Sequence, residues 1–324
     1  MKILSENLVN TIQILSDLNY HDGDSIGKSL GITRSAVWKI IKKLENYGIK
    51  INSIQSKGYL LEQKLTLLDK NYIKKAIDKL DIQIEIFETI DSTNDYLKNL
   101  GKSDPISRIC IAEHQSKARG RRLRNWHAPF GQNLYFSYAY PVNKDVSELA
   151  GLSLVIGLAI INKLEQLKLP GKLELKWPND IIYENKKLVG ILIDVLAESN
   201  GKTYVIIGAG INVNMREDKE NMIKQEWNSL YNITGEYIDR NLVFTEVMNG
   251  MLGYVNQFND AGLAYFMDEF KKYDSLYGKQ IKVISGNNDI KGKALGINNL
   301  GHLLVEKENG EIKLCSSGDT SIVK

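Results

Sequence analysis

The chain has 324 residues, long enough for two or three domains, and at 43% hydrophobic and 25% charged it has the composition of a folded globular protein. No apolar run reaches the length needed to span a bilayer; the longest, around Leu152–Ile161, is interrupted by Ser153 and Gly157. The opening Lys2-Ile3-Leu4-Ser5-Glu6 is unlike a signal peptide, and Cys110 and Cys315 have no CxxC partner. Neither a disulfide framework nor a zinc site is indicated, and a cytoplasmic address without membrane attachment is expected. The net charge of +3 is unevenly placed: eight Lys/Arg and five acids lie in residues 1–60, so the rest of the chain balances. Between Lys28 and Lys57, Glu45 is the only acid.

Taken in chain order, residues 5–18 read as a helix, with Leu8, Ile12, Leu15 and Leu18 at helical spacing. Asp24–Leu30 is a short second helix ended by Gly31, and Thr33 caps a third, Ser35–Tyr47, ended by Gly48. A short helix, a glycine turn, and a helix with Lys39, Lys42 and Lys43 on its polar side form a helix-turn-helix pattern. Lys50–Ser53 and Tyr59–Glu62, joined through Ser56-Lys57-Gly58, make a two-stranded wing. The bland alternative is a helical cap with a solvated lysine face; the localised charge favours DNA binding. Lys39, Lys42, Lys43 and Lys57 would then supply phosphate contacts, with Arg34, Ser35 and Trp38 as candidates for the major groove. Trp38 has a second reading, packed under the wing.

Glu62–Leu68 reads as a linker and Asp69–Leu80 as a helix with Ile73, Ile77 and Leu80 inward. Ile82, Ile84 and Ile86 alternate with polar residues, a strand with one wet face. Asp91-Ser92-Thr93-Asn94 then precedes a helix to Leu100; any one of these residues is an ordinary N-cap, but four short polar residues exceed what capping requires. Between strands Ile109–Ala112 and Leu134–Tyr140 lies Gln115-Ser116-Lys117-Ala118-Arg119-Gly120-Arg121-Arg122-Leu123-Arg124-Asn125-Trp126, five cations within eight residues. Guanidinium groups fork onto phosphate or carboxylate oxygens, and glycine lets backbone N–H groups approach a ligand. On spacing alone this loop is an anion clamp, a solvated charge run or a nucleic-acid patch.

A long helix is expected over Val146–Leu167, then a strand Leu173–Trp177 entering Lys176-Trp177-Pro178-Asn179-Asp180. Ile181–Tyr183 and Lys187–Leu196 form a hairpin, Asn200-Gly201 turns into a strand Thr203–Gly208, and the charged segment Arg216–Glu226 closes at Trp227. Helices over Arg240–Phe258 and Leu263–Tyr273 precede four short strands, Lys279–Ser285, Ile290–Ile297, Leu303–Lys307 and Glu311–Cys315. Gly286-Asn287-Asn288, Asn298-Asn299-Leu300-Gly301 and Asn309-Gly310 mark their turns, and a small barrel is expected.

No Cys/His nucleophile pair is apparent, and His21, His114, His127 and His302 sit in unrelated contexts. Gly208-x-Gly210 lacks the third glycine and the βαβ setting of a dinucleotide fingerprint, and no P-loop occurs. What remains is a site rich in fixed cations, suited to stabilising negative charge by electrostatics, as nucleotidyl transfer requires.

Five motifs, in order, resemble those of the two-function bacterial biotin–protein ligases, the biotin operon repressors. They are Asp-Ser-Thr-Asn at 91–94, the arginine–glycine loop at 118–126, Lys-Trp-Pro-Asn-Asp at 176–180, Lys-Leu-x-Gly-Ile-Leu at 187–192 and Gly-x-Gly-Ile-Asn at 208–212. The resemblance implies an α+β chain of three domains. These are a winged helix-turn-helix over 1–64, a class II synthetase-like ligase core with a central mixed sheet over 65–275, and an SH3-like β-barrel over 276–324. It implies that biotin and ATP with Mg²⁺ give biotinyl-5′-adenylate, whose acyl group passes to a lysine of the biotin carboxyl carrier protein. It also implies that the adenylate-bound form dimerises and represses by binding operator DNA.

Carried over by position, Ser92, Thr93, Asn94, Gln115 and Gly190 belong to the biotin site. Arg119, Gly120 and Arg121 clamp the carboxylate and the adenylate phosphate. Lys187 meets the carboxylate or α-phosphate oxygens. Asp180 is a candidate for orienting or deprotonating the incoming lysine, or for organising Mg²⁺, and no residue is assigned as a certain metal ligand. Arg122, Lys176, Trp177, Asn179, Asn212 and Trp227 border the nucleotide.

Three positions depart from the family pattern. Ala118 and Leu123 stand where its loop has glycines, and Cys315 stands where an arginine often reaches the adenine. The rival readings are a ligase without operator binding, a non-catalytic biotin-sensing regulator, and a lipoate ligase. The intact Lys187 and arginine loop oppose the second of these.

Overall fold

The structure, a computed structural model, describes residues 1–77, 82–197, 203–218, 221–285 and 288–323. Leu80, the Asn200-Gly201 turn, part of the Arg216–Glu226 segment and Gly286-Asn287 lie outside the described residues. The chain divides into two compact units. The first comprises Met1–Tyr140, Gly208–Lys224 and Ser229–Thr245, and the second Pro141–Ile207, Gln225–Asn228 and Glu246–Lys324.

The first unit opens with a short strand β1 (Lys2–Ile3), which the sequence did not announce, and three helices, α1 (Glu6–Leu15), α2 (Gly23–Leu30) and α3 (Arg34–Asn46). Their boundaries follow local chemistry. Asp22 accepts from the backbone N–H groups of Asp24 and Ser25 to start α2, Gly31 ends it at φ 66°, and the Thr33 hydroxyl accepts from Ala36 N to start α3. Strands β2 (Ile51–Ile54) and β3 (Gly58–Leu61) pair as the expected wing. Leu8, Ile12 and Leu15 of α1 meet Ile26, Val37, Ile41 and Leu44 in one buried cluster.

That cluster continues through Leu61, Leu65 and Leu67 to Phe130. The segment read as a linker is exposed at Glu62–Lys64 but becomes a strap at Leu65–Leu68, with three buried leucines and a backbone hydrogen-bonded at Thr66, Leu67 and Leu68. Thr66 N donates to the Tyr237 hydroxyl at 2.7 Å, Leu68 N to Glu113 at 2.5 Å, and Asn241 Nδ2 donates to the Leu67 carbonyl at 3.1 Å. Arg240 and Glu113, both fully buried, pair at 2.7 Å, and Arg240 also donates to the carbonyls of Thr66 and Asn133. These contacts offset part of the cost of burying the pair, while Arg240 Nε, also buried, has no hydrogen-bond partner among the described residues.

After α4 (Lys70–Ile77) come β4 (Gln83–Thr89), α5 (Thr93–Gly101), β5 (Arg108–Ala112) and β6 (Leu134–Val142). β1 lies antiparallel to β4, β4 parallel to β5, and β5 antiparallel to β6. The parallel β4–β5 crossover through α5 brings residue 90 beside residue 115, where an isolated parallel bridge forms.

In the second unit, the single helix expected over Val146–Leu167 is interrupted. A 3₁₀ turn at Val146–Leu149 is separated from α6 (Leu152–Leu164) by Gly151 at φ 83°, where the backbone cannot stay right-handed. The segment is long and apolar enough to resemble a membrane span, yet α6 is buried on nearly every side as a core helix. Strands β7 (Leu173–Lys176), β8 (Asp180–Tyr183), β9 (Lys186–Ala197) and β10 (Thr203–Ile211) lie in the order β10-β9-β8-β7. β8 and β9 join through Glu184 and Asn185, both at positive φ, a two-residue hairpin turn one residue shorter than expected because Lys186 already pairs with Tyr183. The short helix α7 (Leu230–Thr234) belongs to the first unit, while α8 (Arg240–Ala261) runs from the first unit into the second and is followed by α9 (Met267–Tyr273).

The C-terminal segment has five antiparallel strands, β11 (Gln280–Ser285), β12 (Asn288–Ile297), β13 (Leu303–Glu306), β14 (Ile312–Cys315) and β15 (Asp319–Ile322). Their order, β14-β13-β12-β11-β15, places the unanticipated last strand beside the first.

Candidate functional site

The polar turn at 91–94 is held at the end of β4. Ser92 does what a capping residue does, accepting from Asp95 N at 3.3 Å. The next two side chains do more. Gln115 Oε1 accepts from Thr93 N at 2.7 Å and from the Thr93 hydroxyl at 3.1 Å. Ser137, on the facing strand β6, lies 2.7 Å from Thr93 Oγ1 and donates to Asn94 Oδ1 at 2.6 Å. Ser92, Thr93, Asn94 and Ser137 are all buried. Gly208 completes the wall, since a Cβ there would overlap the Asn94 amide. The result is a compact cradle of alternating donors and acceptors, suited to a small, neutral, amide-like head group. Ser137 was not anticipated, although a serine among the aromatic residues of Leu134–Tyr140 was a visible signal, and Gly208 entered only as part of the Gly-x-Gly-Ile-Asn motif, without a role of its own.

The basic loop is a miniature hairpin. Trp126 N donates to the Ala118 carbonyl at 2.9 Å, Gly120 N donates to the Arg124 carbonyl at 2.7 Å, and a 3₁₀ turn at Arg121–Leu123 forms its tip. The Ala118 methyl packs with Ala128, Tyr135 and Trp126, so this departure from glycine roots the loop in an apolar cluster. Gly210 lies under Trp126, where a Cβ would come within 2.7 Å of the indole. Leu123 is the costlier departure. It and Arg122 both have a left-handed backbone, at φ 57° and 53°, and Leu123 is 79% exposed. The guanidinium of Arg119 is held by Asp95, with Nη2 2.7 Å from Oδ1.

In the second unit, Lys187 and Asp180 form an ion pair at 2.8 Å. The Lys187 backbone is fixed on both sides, donating to the Glu226 carbonyl at 3.0 Å and accepting from Asn228 N at 2.8 Å, beside the half-buried Trp227. Gly190 lies directly across the ladder from Asp180. Burial lowers the pKa of Lys176 and Lys187 adds to the effect, while Asp180 and Asp319 oppose it. Asn179 has a structural task, its side-chain amide donating to the Ile191 carbonyl at 2.6 Å. Trp177 is 2% exposed and its indole N–H donates to the Gly301 carbonyl at 2.9 Å, so it anchors the corner. Asn212, in the first unit, is buried and accepts from Asn133 at 3.4 Å.

The third helix presents Arg34, Ser35, Trp38, Lys39 and Lys42 to solvent. Trp38 is 50% exposed, which removes the reading that packs it under the wing. Arg34 is lightly tied to Asp24 at 3.1 Å, Lys42 to Glu45 at 2.6 Å, and Lys57 lies over the Tyr20 ring on the wing. Lys43 departs from the expected phosphate-facing row. It turns inward and pairs with Glu88 of β4, a carboxylate with no exposure, which also accepts from the Tyr47 hydroxyl at 2.6 Å and has Lys2 at 3.8 Å.

Comparison with known proteins identifies three segments of the chain. Residues 86–212 match the biotin/lipoate A/B protein ligase family, residues 10–60 a helix-turn-helix domain, and residues 276–323 the biotin protein ligase C-terminal domain. The chain is 34% identical over 311 residues to the bifunctional ligase/repressor BirA of Salmonella typhimurium and 33% identical to that of Escherichia coli; 96% of this chain is covered in each case, with 96% and 95% of the relatives. Among solved structures, the Aquifex aeolicus biotin protein ligase in complex with biotin and ATP superposes with a TM-score of 0.63 at 31% identity, covering 75% of this chain and 99% of the other. With its helix-turn-helix, its ligase core and its C-terminal β domain all present, this chain belongs to the family of bifunctional biotin ligase/repressors.

Proposed function

We propose that the chain condenses biotin with ATP, and that the observation carrying this reading is the buried Thr93–Asn94–Gln115–Ser137 cradle beside the Arg119 loop. The cradle's donors and acceptors match a ureido ring. A carboxylate oxygen of biotin attacks the α-phosphorus, the bond to the bridging oxygen breaks, and pyrophosphate leaves. Arg119, Gly120, Arg121 and Lys187 stabilise the negative charge that develops on the phosphoryl and carboxylate oxygens, with Arg122, Lys176 and Trp227 at the nucleotide. In the second half-reaction the ε-amine of a carrier-protein lysine attacks the acyl carbon, AMP departs with the bonding electrons, and one proton is lost from the nitrogen. Asp180, 2.8 Å from the Lys187 ammonium, is the acceptor suited to that proton.

Mg²⁺ would enter with the ATP phosphates. Asp180 is already engaged by Lys187, and no group of three metal-ligating side chains occurs among the described residues, so the donor set does not fit a protein-held ion. The N-terminal helices would carry an adenylate-bound homodimer to operator DNA through Arg34, Ser35, Trp38, Lys39, Lys42 and Lys57. Functionally the chain divides at 1–64, 65–275 and 276–324, and this proposal places it in the cytoplasm.

Biotin-dependent ATP–pyrophosphate exchange, with lipoate as control, tests the reading. Exchange should require biotin and fall by about a hundredfold or more in Lys187→Ala, the scale of losing a transition-state charge partner. Near-normal exchange in that variant would remove Lys187 from the mechanism, and exchange with lipoate alone would overturn the substrate.

A further inference from the structure

The N-terminal leg of the basic loop is stitched to the biotin-site turn residue by residue. Ser116 N donates to the Ile90 carbonyl and Lys117 N to the Asp91 carbonyl, both at 2.9 Å. The Asp91 side chain accepts from the Ser116 hydroxyl and the Lys117 ammonium, both at 2.8 Å. One turn of α5 further on, Asp95 takes the Nε–Nη2 edge of Arg119, with Nη2 2.7 Å from Oδ1 and Nε 3.3 Å from Oδ1 and 3.4 Å from Oδ2. Arg119 is thus bound to the helix whose first residues build the cradle.

Resting on the ligase reading, we propose that Asp95 is a positioning residue for the reaction: its carboxylate oxygen sets the guanidinium plane of Arg119 before biotin and ATP arrive. A guanidinium has five donors in a rigid fork, so fixing one edge orients the whole plane. Nε is shared between the two carboxylate oxygens, so an asparagine, whose amide nitrogen cannot accept a hydrogen bond, keeps only the Oδ1 half of the tie. Residues 115–119 are thereby tied to the turn and helix that build the cradle.

The test uses the full chain, with Asp95→Ala and Asp95→Asn compared in two assays. Limited trypsin digestion without ligand reads cleavage within 119–124. Asp95→Ala should be cut about fivefold faster, the factor that a partly screened ion pair carries, and Asp95→Asn at a rate between that and the wild type. In ATP–pyrophosphate exchange, Asp95→Ala should raise the KM for biotin by a similar factor, with the asparagine variant restoring part of it. Equal digestion of all three proteins would overturn the inference whatever the ligase result. Failure of the wild type to exchange would instead overturn the ligase reading while leaving the digestion result to stand on its own.

Discussion

Leu123 holds a left-handed backbone with its side chain in solvent, so burial does nothing to offset the conformational cost. A Cβ in that region costs roughly 1 kcal/mol, part of which returns through the lower unfolded-state entropy of leucine relative to glycine. Leu123→Gly should therefore favour the folded tip and slow release of the adenylate, by up to about fivefold; release faster than wild type would show that glycine's freedom in the open loop dominates. Lys176 gives a second prediction at this scale. Burial favours its neutral form, so its positive charge is lost at a lower pH than that of an ordinary lysine. The KM for ATP should rise as pH climbs through that lowered value, and Lys176→Arg, whose cation persists, should move the alkaline limb upward. An unmoved limb would mean that another group titrates there. The motif residues were legible because their chemistry is local, and Asp95 adjoined them in plain sight. Its task was not legible, because the bond to Arg119 depends on a crossover that brings residues 24 apart in sequence together.

At the scale of elements, α3 shows where periodicity stops informing. Helical spacing assigns Lys39, Lys42 and Lys43 to a polar side, but cannot say what covers part of it; here β4 does, through Glu88. Burial lowers the Lys43 pKa and raises that of the Tyr47 hydroxyl, so tyrosine remains a donor to the carboxylate. Tyr47 is further fixed by stacking on Phe130 at 4.3 Å. Lys43→Ala would leave Glu88 buried with less compensation, and because Lys43 is only partly covered the loss should be about 2–3 kcal/mol, below the full value for a buried pair. The double variant Lys43→Met, Glu88→Met should recover most of it. Urea unfolding checks this, and a double variant no better than the single would show that the pair is not a coupled unit. The broken helix at Gly151 and the strand β15 escaped sequence reading for a related reason. The first break is set by a backbone angle, and β15 exists by pairing with β11, some forty residues earlier.

At the scale of the molecule, the winged helix is not a detachable module. Its core cluster ends on Phe130, the strap at Leu65–Leu68 is buried, and Glu88 takes two of its partners from α3 and the residue after it. Removing residues 1–60 would abolish operator binding, but it would also expose that apolar surface and strand a buried carboxylate. The truncated ligase should therefore melt at a lower temperature and aggregate more readily, in addition to losing DNA. A clean separation of the two functions requires surface substitutions. Lys39→Ala with Lys42→Ala lies on the exposed side of α3, remote in chemistry from the strap, and should weaken DNA binding and reduce its salt dependence by about two phosphate contacts. Pyrophosphate exchange in that variant should match the wild type. If exchange fell along with DNA affinity, the exposed face of α3 would be serving the ligase too, and the division of labour drawn from its burial pattern would have to be abandoned.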